Sequence, residues 1–265
     1  MDETPTHFSD PDTVEARRTS FGAGAAAYDA VRPSWPEPAV TWMLGSPEHS
    51  LEVLDLGAGT GLGTRVIAAL GHEVTAVDPS PEMLVALDAA CERLPAEVAA
   101  RIRSRVGAAE ELADDDASYD AVTVFQAWHW FDPARAATEC ARVIRPGGVL
   151  ALGWHSWSDR DPWLRELGDV TGSPEMIWDP ARRGASVDTA RIAGFDLPDN
   201  EQFGLEQRLD VDDVVRLAAS WSPVAVRKDR DDVLAAVREL AVRTAGADGT
   251  LVFRYVTDCY RYRRL

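Results

Sequence analysis

Basic side chains are scarce in this chain. Of 265 residues, 27 are lysine or arginine against 44 aspartate or glutamate, which leaves a formal net charge of -17, and Lys228 is the one lysine. A field of that sign repels phosphate backbones and anionic lipid surfaces, so neither nucleic acid nor a membrane is an expected partner, and the acidity also serves solubility alone. Cysteine is equally sparse. Cys91, Cys140 and Cys259 lie far apart, leave an odd number for any disulfide scheme and fit no metal-ligand spacing. They are expected to be small apolar side chains of a reduced, cytoplasmic protein with no metal. No stretch approaches the roughly 20 apolar residues that span a bilayer. The opening MDETPTHFSDPDTVEARR lacks the apolar core of a secretory signal.

What is present is a hydrophobic fraction of 46%, enough for one large α/β domain carrying an insertion. After a polar start and a proline-opened helix near Glu37 to Leu44, strand and helix patterns alternate for a hundred residues. Strands are expected at Glu52 to Leu56, Glu73 to Val77, Ile102 to Val106, Ala121 to Phe125 and Val149 to Trp154. Between them, helices are expected over Gly61 to Leu70, after the Ser80-Pro81 pair and after the Asp132-Pro133 pair, where an N-cap precedes proline at the first helical position. Ala137, Ala141 and Ile144 would line the inner face of the last, and RPGG would stop it. The tail adds strands at Phe203 to Leu209 and Thr250 to Tyr262 around helices near Val211 to Ser220 and Asp231 to Thr244. Such alternation implies a mostly parallel, seven-stranded sheet with helices on both faces and ligands at the carboxyl ends of the strands. Four regions result: a lid and helix over 1–45, a core of alternating strands and helices over 46–154, a cap insertion over 155–200, and completing strands and helices over 201–265.

The stretch VLDLGAGTG, Val53 to Gly61, runs a buried strand into three glycines with an aspartate inside the apolar run. A strand that ends in glycines and turns into a helix brings bare backbone N–H groups to a ligand. The dinucleotide fingerprint needs Gly-x-Gly-x-x-Gly. Leu62 stands at the third place counted from Gly57 and Thr64 at that counted from Gly59, so both registers fail. Asp55 would also repel a pyrophosphate and attract an ammonium or sulfonium.

These residues resemble motif I of class I S-adenosylmethionine-dependent methyltransferases. The resemblance implies a Rossmann-like α/β fold and S-adenosyl-L-methionine as cofactor. It implies that the loop of Gly57, Ala58, Gly59 and Gly61 lies against the amino acid end of the cofactor, with Asp55 orienting the loop and the ammonium group. Asp78, at the end of the second strand, would accept hydrogen bonds from the ribose hydroxyls, with Pro79, Ser80 and Met83 beside the ribose and adenine. Where relatives carry an acidic or polar residue for the adenine amino group, this chain has Ala108, which leaves that task to Ala109 and Glu110. Gln126 and Ala127 would lie next to the sulfonium, and Tyr28 and Arg32 in a segment that folds over the cofactor. YDAVRPSWP and QAWHWFD look most like the branch that includes trans-aconitate methyltransferase-like enzymes.

For catalysis, His129 and His155 are the candidate general bases, each at a predicted strand end, although a histidine between two tryptophans also serves as packing. Trp128, Trp154 and Trp157 are candidate walls of an acceptor pocket. The expected activity is methyl transfer to a small molecule, most readily to a carboxylate or hydroxyl oxygen, with nitrogen or carbon open, by a monomer or homodimer. A nucleotide-dependent oxidoreductase and a non-catalytic cofactor-binding protein are the competing readings.

Overall fold

The structure is a computed structural model, and it describes residues 29–45, 47–179 and 191–265. Its frame is a seven-stranded sheet: β1 Glu52–Leu56, β2 Glu73–Asp78, β3 Ile102–Val106, β4 Tyr119–Phe125, β5 Ile144–Trp157, β6 Asp199–Asp210 and β7 Thr250–Arg263. The spatial order is β3-β2-β1-β4-β5-β7-β6. The five strands from β3 to β5 run parallel, and β7 pairs antiparallel with both β5 and β6. The expected class, a mostly parallel Rossmann-like sheet, is what the chain forms.

Helices cover the sheet as the apolar spacing requires. Helix α1 (Glu37–Met43) and helix α2 (Leu62–Ala69) bury Ala39, Val40, Met43, Ile67 and Ala68 with Val53, Val74, Ala121 and Ala151. Helix α3 (Pro81–Cys91) sets Leu84 and Leu87 on Ala76. Its cap is the predicted one, with the Ser80 hydroxyl accepting from Met83 N. A short turn of helix, α4 (Ala96–Ala99), precedes β3. On the other face, helix α5 (Pro133–Val143) packs Ala136, Ala137, Cys140 and Val143 against Leu54, Val122, Leu150 and Leu152. Its Asp132 cap accepts from Ala134 N and Arg135 N.

The fifth strand departs from expectation. Ile144 ends no helical face: it pairs with Tyr119, and the register then shifts so that Ala121 meets Val149. Arg145 to Gly148 is therefore a bulge inside β5, with Gly147 at φ +77°. The strand also runs on to Trp157, paired residue by residue with β7. His155 and Trp157 thus belong to the sheet and not to the cap.

A second apolar cluster sits beyond the carboxyl end of β5. Helices α6 (Pro162–Thr171), α7 (Val211–Ala219), α8 (Ser222–Ala225) and α9 (Arg230–Thr244) bury Leu164, Leu167, Leu217, Val224, Val237 and Leu240 against Trp157, Leu251 and Phe253. At about 25 cal/mol per Å2 of apolar area, each such side chain contributes roughly 1.5–3 kcal/mol. No helix among the described residues is long and apolar enough to cross a membrane.

Candidate functional site

The sheet order reverses between β1 and β4, and a cleft opens there at the strands' carboxyl ends. Arg32, Trp35, Gly57, Gly59, Thr60, Phe125, Gln126 and His155 line it. The loop that follows β1 is held by its own backbone. Gly57 N and Ala58 N both donate to Val77 O, at 2.8 and 3.1 Å, and Gly61 N donates to Ala58 O at 2.9 Å. Gly59 N donates to Asp78 Oδ2 at 2.8 Å. The loop therefore uses internally the amides that a phosphate cradle would turn outward, which corrects the expectation of bare N–H groups and disfavours a diphosphate.

The glycines divide into two jobs. A Cβ on Gly57 would meet Ala127 Cβ at 2.5 Å, one on Gly61 would meet Leu87 Cγ at 2.7 Å, and one on Gly63 would strike Phe125 Cδ2 at 2.2 Å. These permit close packing, and Gly63 supplies the helix–strand contact that sequence spacing did not find. Gly59, at φ +57°, has nothing within 4 Å of its would-be Cβ, so its missing side chain leaves room on the open side of the loop.

Asp55 is buried, and both its oxygens are taken: Thr64 Oγ1 donates to Oδ2 at 2.6 Å and Thr123 Oγ1 to Oδ1 at 3.0 Å. Burial pushes its carboxyl up to about 7, against the lowering effect of the two threonine hydroxyls. Asp55 thus acts on a ligand through the loop and the local field, not by direct contact. Asp78 joins two elements, accepting from Gly59 N through Oδ2 and from Ser80 N at 2.9 Å through Oδ1. The carboxylate thus sits at the end of β2, against the loop that follows β1. Pro79 follows it, Ser80 caps α3 and Met83 is buried behind that cap. Ala109 is buried, whereas the Glu110 carboxylate accepts from Asp132 N at 2.8 Å and so ties the loop after β3 to α5.

Past β4, Gln126 takes φ +56°, a strained value for a residue with a side chain. Its N–H donates to Gly153 O at 2.9 Å and its Nε2 to His155 O at 3.3 Å, locking it beside β5. Ala127 packs against Gly57. His129 lies in a 3-10 turn, Trp128–Trp130, tilted against Trp130 at 4.9 Å. Burial pushes its imidazole down to about 4.

His155 is 5% exposed, stacks on Trp35 at 4.0 Å and shares a 2.9 Å hydrogen bond between Nδ1 and Thr257 Oγ1. Burial pushes it down to about 3, with Arg32 adding to the effect and the Ser34 backbone opposing it. Its Nε2 is buried with no hydrogen-bond partner, as is Thr60 Oγ1 in the same cleft. Arg32 reaches across to the helical cluster, donating from Nε to Ser220 Oγ and from Nη2 to Ser220 O, both at 3.0 Å. Tyr28 lies outside the described residues.

The tryptophans are corrected in part. Trp157 is 1% exposed and packs on Trp221 and Phe253 at 4.8 and 5.8 Å, inside the helical cluster. Trp128 is 3% exposed within the core beneath α5. Neither lines the cleft. Trp154 is partly exposed and meets Tyr260 edge-on at 5.8 Å. Trp35, not singled out by sequence, rests on Gly153, whose Cβ would lie 2.8 Å from it. Thr60, Thr64, Thr123 and Thr257 were also missed, because a threonine in an apolar strand or loop carries no sign of its partner across the sheet.

Comparison with known proteins agrees with this geometry. Residues 54–152 match the model of the methyltransferase domain family. An uncharacterized methyltransferase of Mycobacterium bovis is 41% identical over 247 residues, covering 91% of this chain and 94% of its own length. A ubiquinone biosynthesis O-methyltransferase of Alkalilimnicola ehrlichii is 34% identical over 215 residues, covering 62% of this chain and 85% of its own. A structure from Anaeromyxobacter dehalogenans, provisionally named a type II methyltransferase, superposes with a TM-score of 0.67 at 26% identity, covering 88% of this chain and 97% of that one. The chain belongs to the class I S-adenosylmethionine-dependent methyltransferases.

Proposed function

We propose that the protein methylates a carboxylate oxygen of a small organic acid. S-Adenosylmethionine, when bound, supplies an electrophilic methyl group on a sulfonium. The residues fit that cofactor: open space at Gly59, a carboxylate at Asp78 beside the loop, and the orphaned Thr60 Oγ1 in the cleft wall. Asp55, held by Thr64 and Thr123, fixes the base of the loop beneath that space.

The observation that carries the acceptor class is the setting of His155, the histidine of the cleft, which is buried, stacked on Trp35 and engaged through Nδ1 by Thr257. Burial pushes its imidazole down to about 3, and pushes that of His129, which lies outside the cleft lining, down to about 4. Bases that weak take a proton poorly from a hydroxyl, because efficient general bases titrate near the working pH. A carboxylate is already ionised at neutral pH and needs no base. With the cofactor bound, transfer to a carboxylate would exchange a C–S bond for an O–CH3 bond, leaving neutral thioether and ester, and would require no residue of the chain to take up a proton. The chain's part is to align the acceptor opposite the leaving sulfur and exclude water. The likeness of YDAVRPSWP and QAWHWFD to the trans-aconitate-like branch supports a carboxylate, and the relative's name as an O-methyltransferase supports oxygen.

The test is formation of S-adenosylhomocysteine with a panel of mono-, di- and tricarboxylic acids and of hydroxylated aromatics between pH 6 and 9. Turnover of acids, with kcat/KM flat across that range, is expected. Turnover of hydroxyl compounds alone, rising tenfold per pH unit, would overturn the reading.

A further inference from the structure

Behind the cleft wall lies an arrangement of three side chains that methyl transfer as described leaves unused. Trp35 stacks on His155 with an interplanar angle of 20°, Thr257 meets Nδ1, and Tyr255 flanks the ring at 5.7 Å. Thr257 is fully buried, and Nδ1 is the partner of its hydroxyl. Gln126 fixes the backbone of the same residue through the carbonyl of His155. The ring can neither turn nor tilt without breaking one of these contacts. Nε2, away from Thr257, is a buried atom with no hydrogen-bond partner on a ring that lines the cleft, and the Ser34 backbone beside the imidazole favours a proton on the ring.

Thr257 also decides where the imidazole proton sits. Were Nδ1 protonated, it would donate to Oγ1 and leave the threonine hydroxyl hydrogen buried without an acceptor, an expensive arrangement. With Nδ1 bare, the hydroxyl donates to it and both atoms are satisfied. The single ring proton then lies on Nε2, as a neutral donor fixed in direction.

We propose that Thr257 is a positioning residue that holds His155 as the Nε2–H tautomer, and that this N–H donates to one carboxylate oxygen of the acceptor while the other oxygen receives the methyl group. The second half rests on the carboxylate reading above; the tautomer does not. A neutral donor suits the task, because it orients an anion without pairing with it so strongly that the attacking lone pair is withdrawn. Trp35, stacked behind the ring, keeps that donor in place.

The experiment is NMR of the full chain labelled with 15N in its five histidines, the His155 signals being those that vanish in His155→Gln. A proton bonded to Nε2 and a bare Nδ1 are expected from pH 6 to 8 without ligand, and the reverse would overturn the proposal in the wild-type protein itself. Thr257→Val is expected to lose the single tautomer and Thr257→Ser to keep it; identical spectra for all three would remove Thr257 from the account. With S-adenosylhomocysteine present, acetate is expected to shift the Nε2 proton downfield, and no shift at saturating cofactor product would refute the acceptor contact. Hydroxyl-only turnover together with an Nε2–H signal would sink the carboxylate reading and leave the tautomer standing.

Discussion

Gly59 N lies 2.8 Å from Asp78 Oδ2, and that one hydrogen bond joins the loop after β1 to the end of β2. The carboxylate sets the loop's shape at the strand ends where the proposed cofactor's ribose would lie. Asp78→Ala should therefore remove a loop anchor and a ligand contact together. Hydrogen bonds to a charged group contribute about 1.5–3 kcal/mol each, so affinity for S-adenosylhomocysteine should fall by roughly 100-fold or more, at about 1.4 kcal/mol per tenfold. Calorimetric titration of a variant that keeps its circular dichroism spectrum checks this; unchanged affinity would detach Asp78 from the cofactor.

Gly59 and Gly63 should separate ligand binding from folding. Gly63→Ala drives a methyl into the Phe125 ring, where 2.2 Å is available, and overpacking of this kind costs about 1–3 kcal/mol in urea unfolding. Gly59→Ala meets no neighbour and costs about 1–2 kcal/mol for its left-handed backbone, yet should weaken S-adenosylhomocysteine binding the more of the two. The opposite ranking would place the ligand elsewhere.

Asp55 gives stability a pH dependence of unusual sign. Its ordinary pKa of 3.8 rises to about 7 in the folded chain. Below the ordinary value the group is neutral in both states and imposes no penalty. As pH rises from 3.8 to about 7 the unfolded chain ionises first, so stability is lost, and above that window the loss is complete. Asp55→Asn removes this titration. Its stability relative to wild type, from urea unfolding, should improve between pH 5 and pH 8; a difference independent of pH would show that Asp55 is ionised throughout.

Trp157→Ala should behave as a core mutation. It empties a site enclosed by Trp221 and Phe253, for about 3–5 kcal/mol of stability, and should leave affinity for S-adenosylhomocysteine unchanged at low temperature. Loss of affinity in a folded variant would return Trp157 to the cleft.

The sequence carried the frame because short-range signals define it. Ser80-Pro81 and Asp132-Pro133 cap helices by contacts within three residues, and apolar runs such as Glu52–Leu56 mark strands buried on both faces. The fifth strand was cut short because RPGG reads as a stop, whereas pairing with β4 and β7 carries the chain through a bulge and on to Trp157. The site was legible at Asp55, Asp78 and the glycines, which a local motif contains. It was not legible at Trp35, Thr123 or Thr257, whose roles arise from neighbours 68 to 120 residues away.

The central claim is that an oxygen of a carboxylate receives the methyl group, and the stability of the product to base tests it most directly. After incubation with S-adenosylmethionine labelled in its methyl group and a panel of small carboxylic acids, mild alkali should release the transferred label as volatile methanol, the mark of a methyl ester. Label that enters product but resists alkali, as in an ether or a methylated amine, would contradict the account.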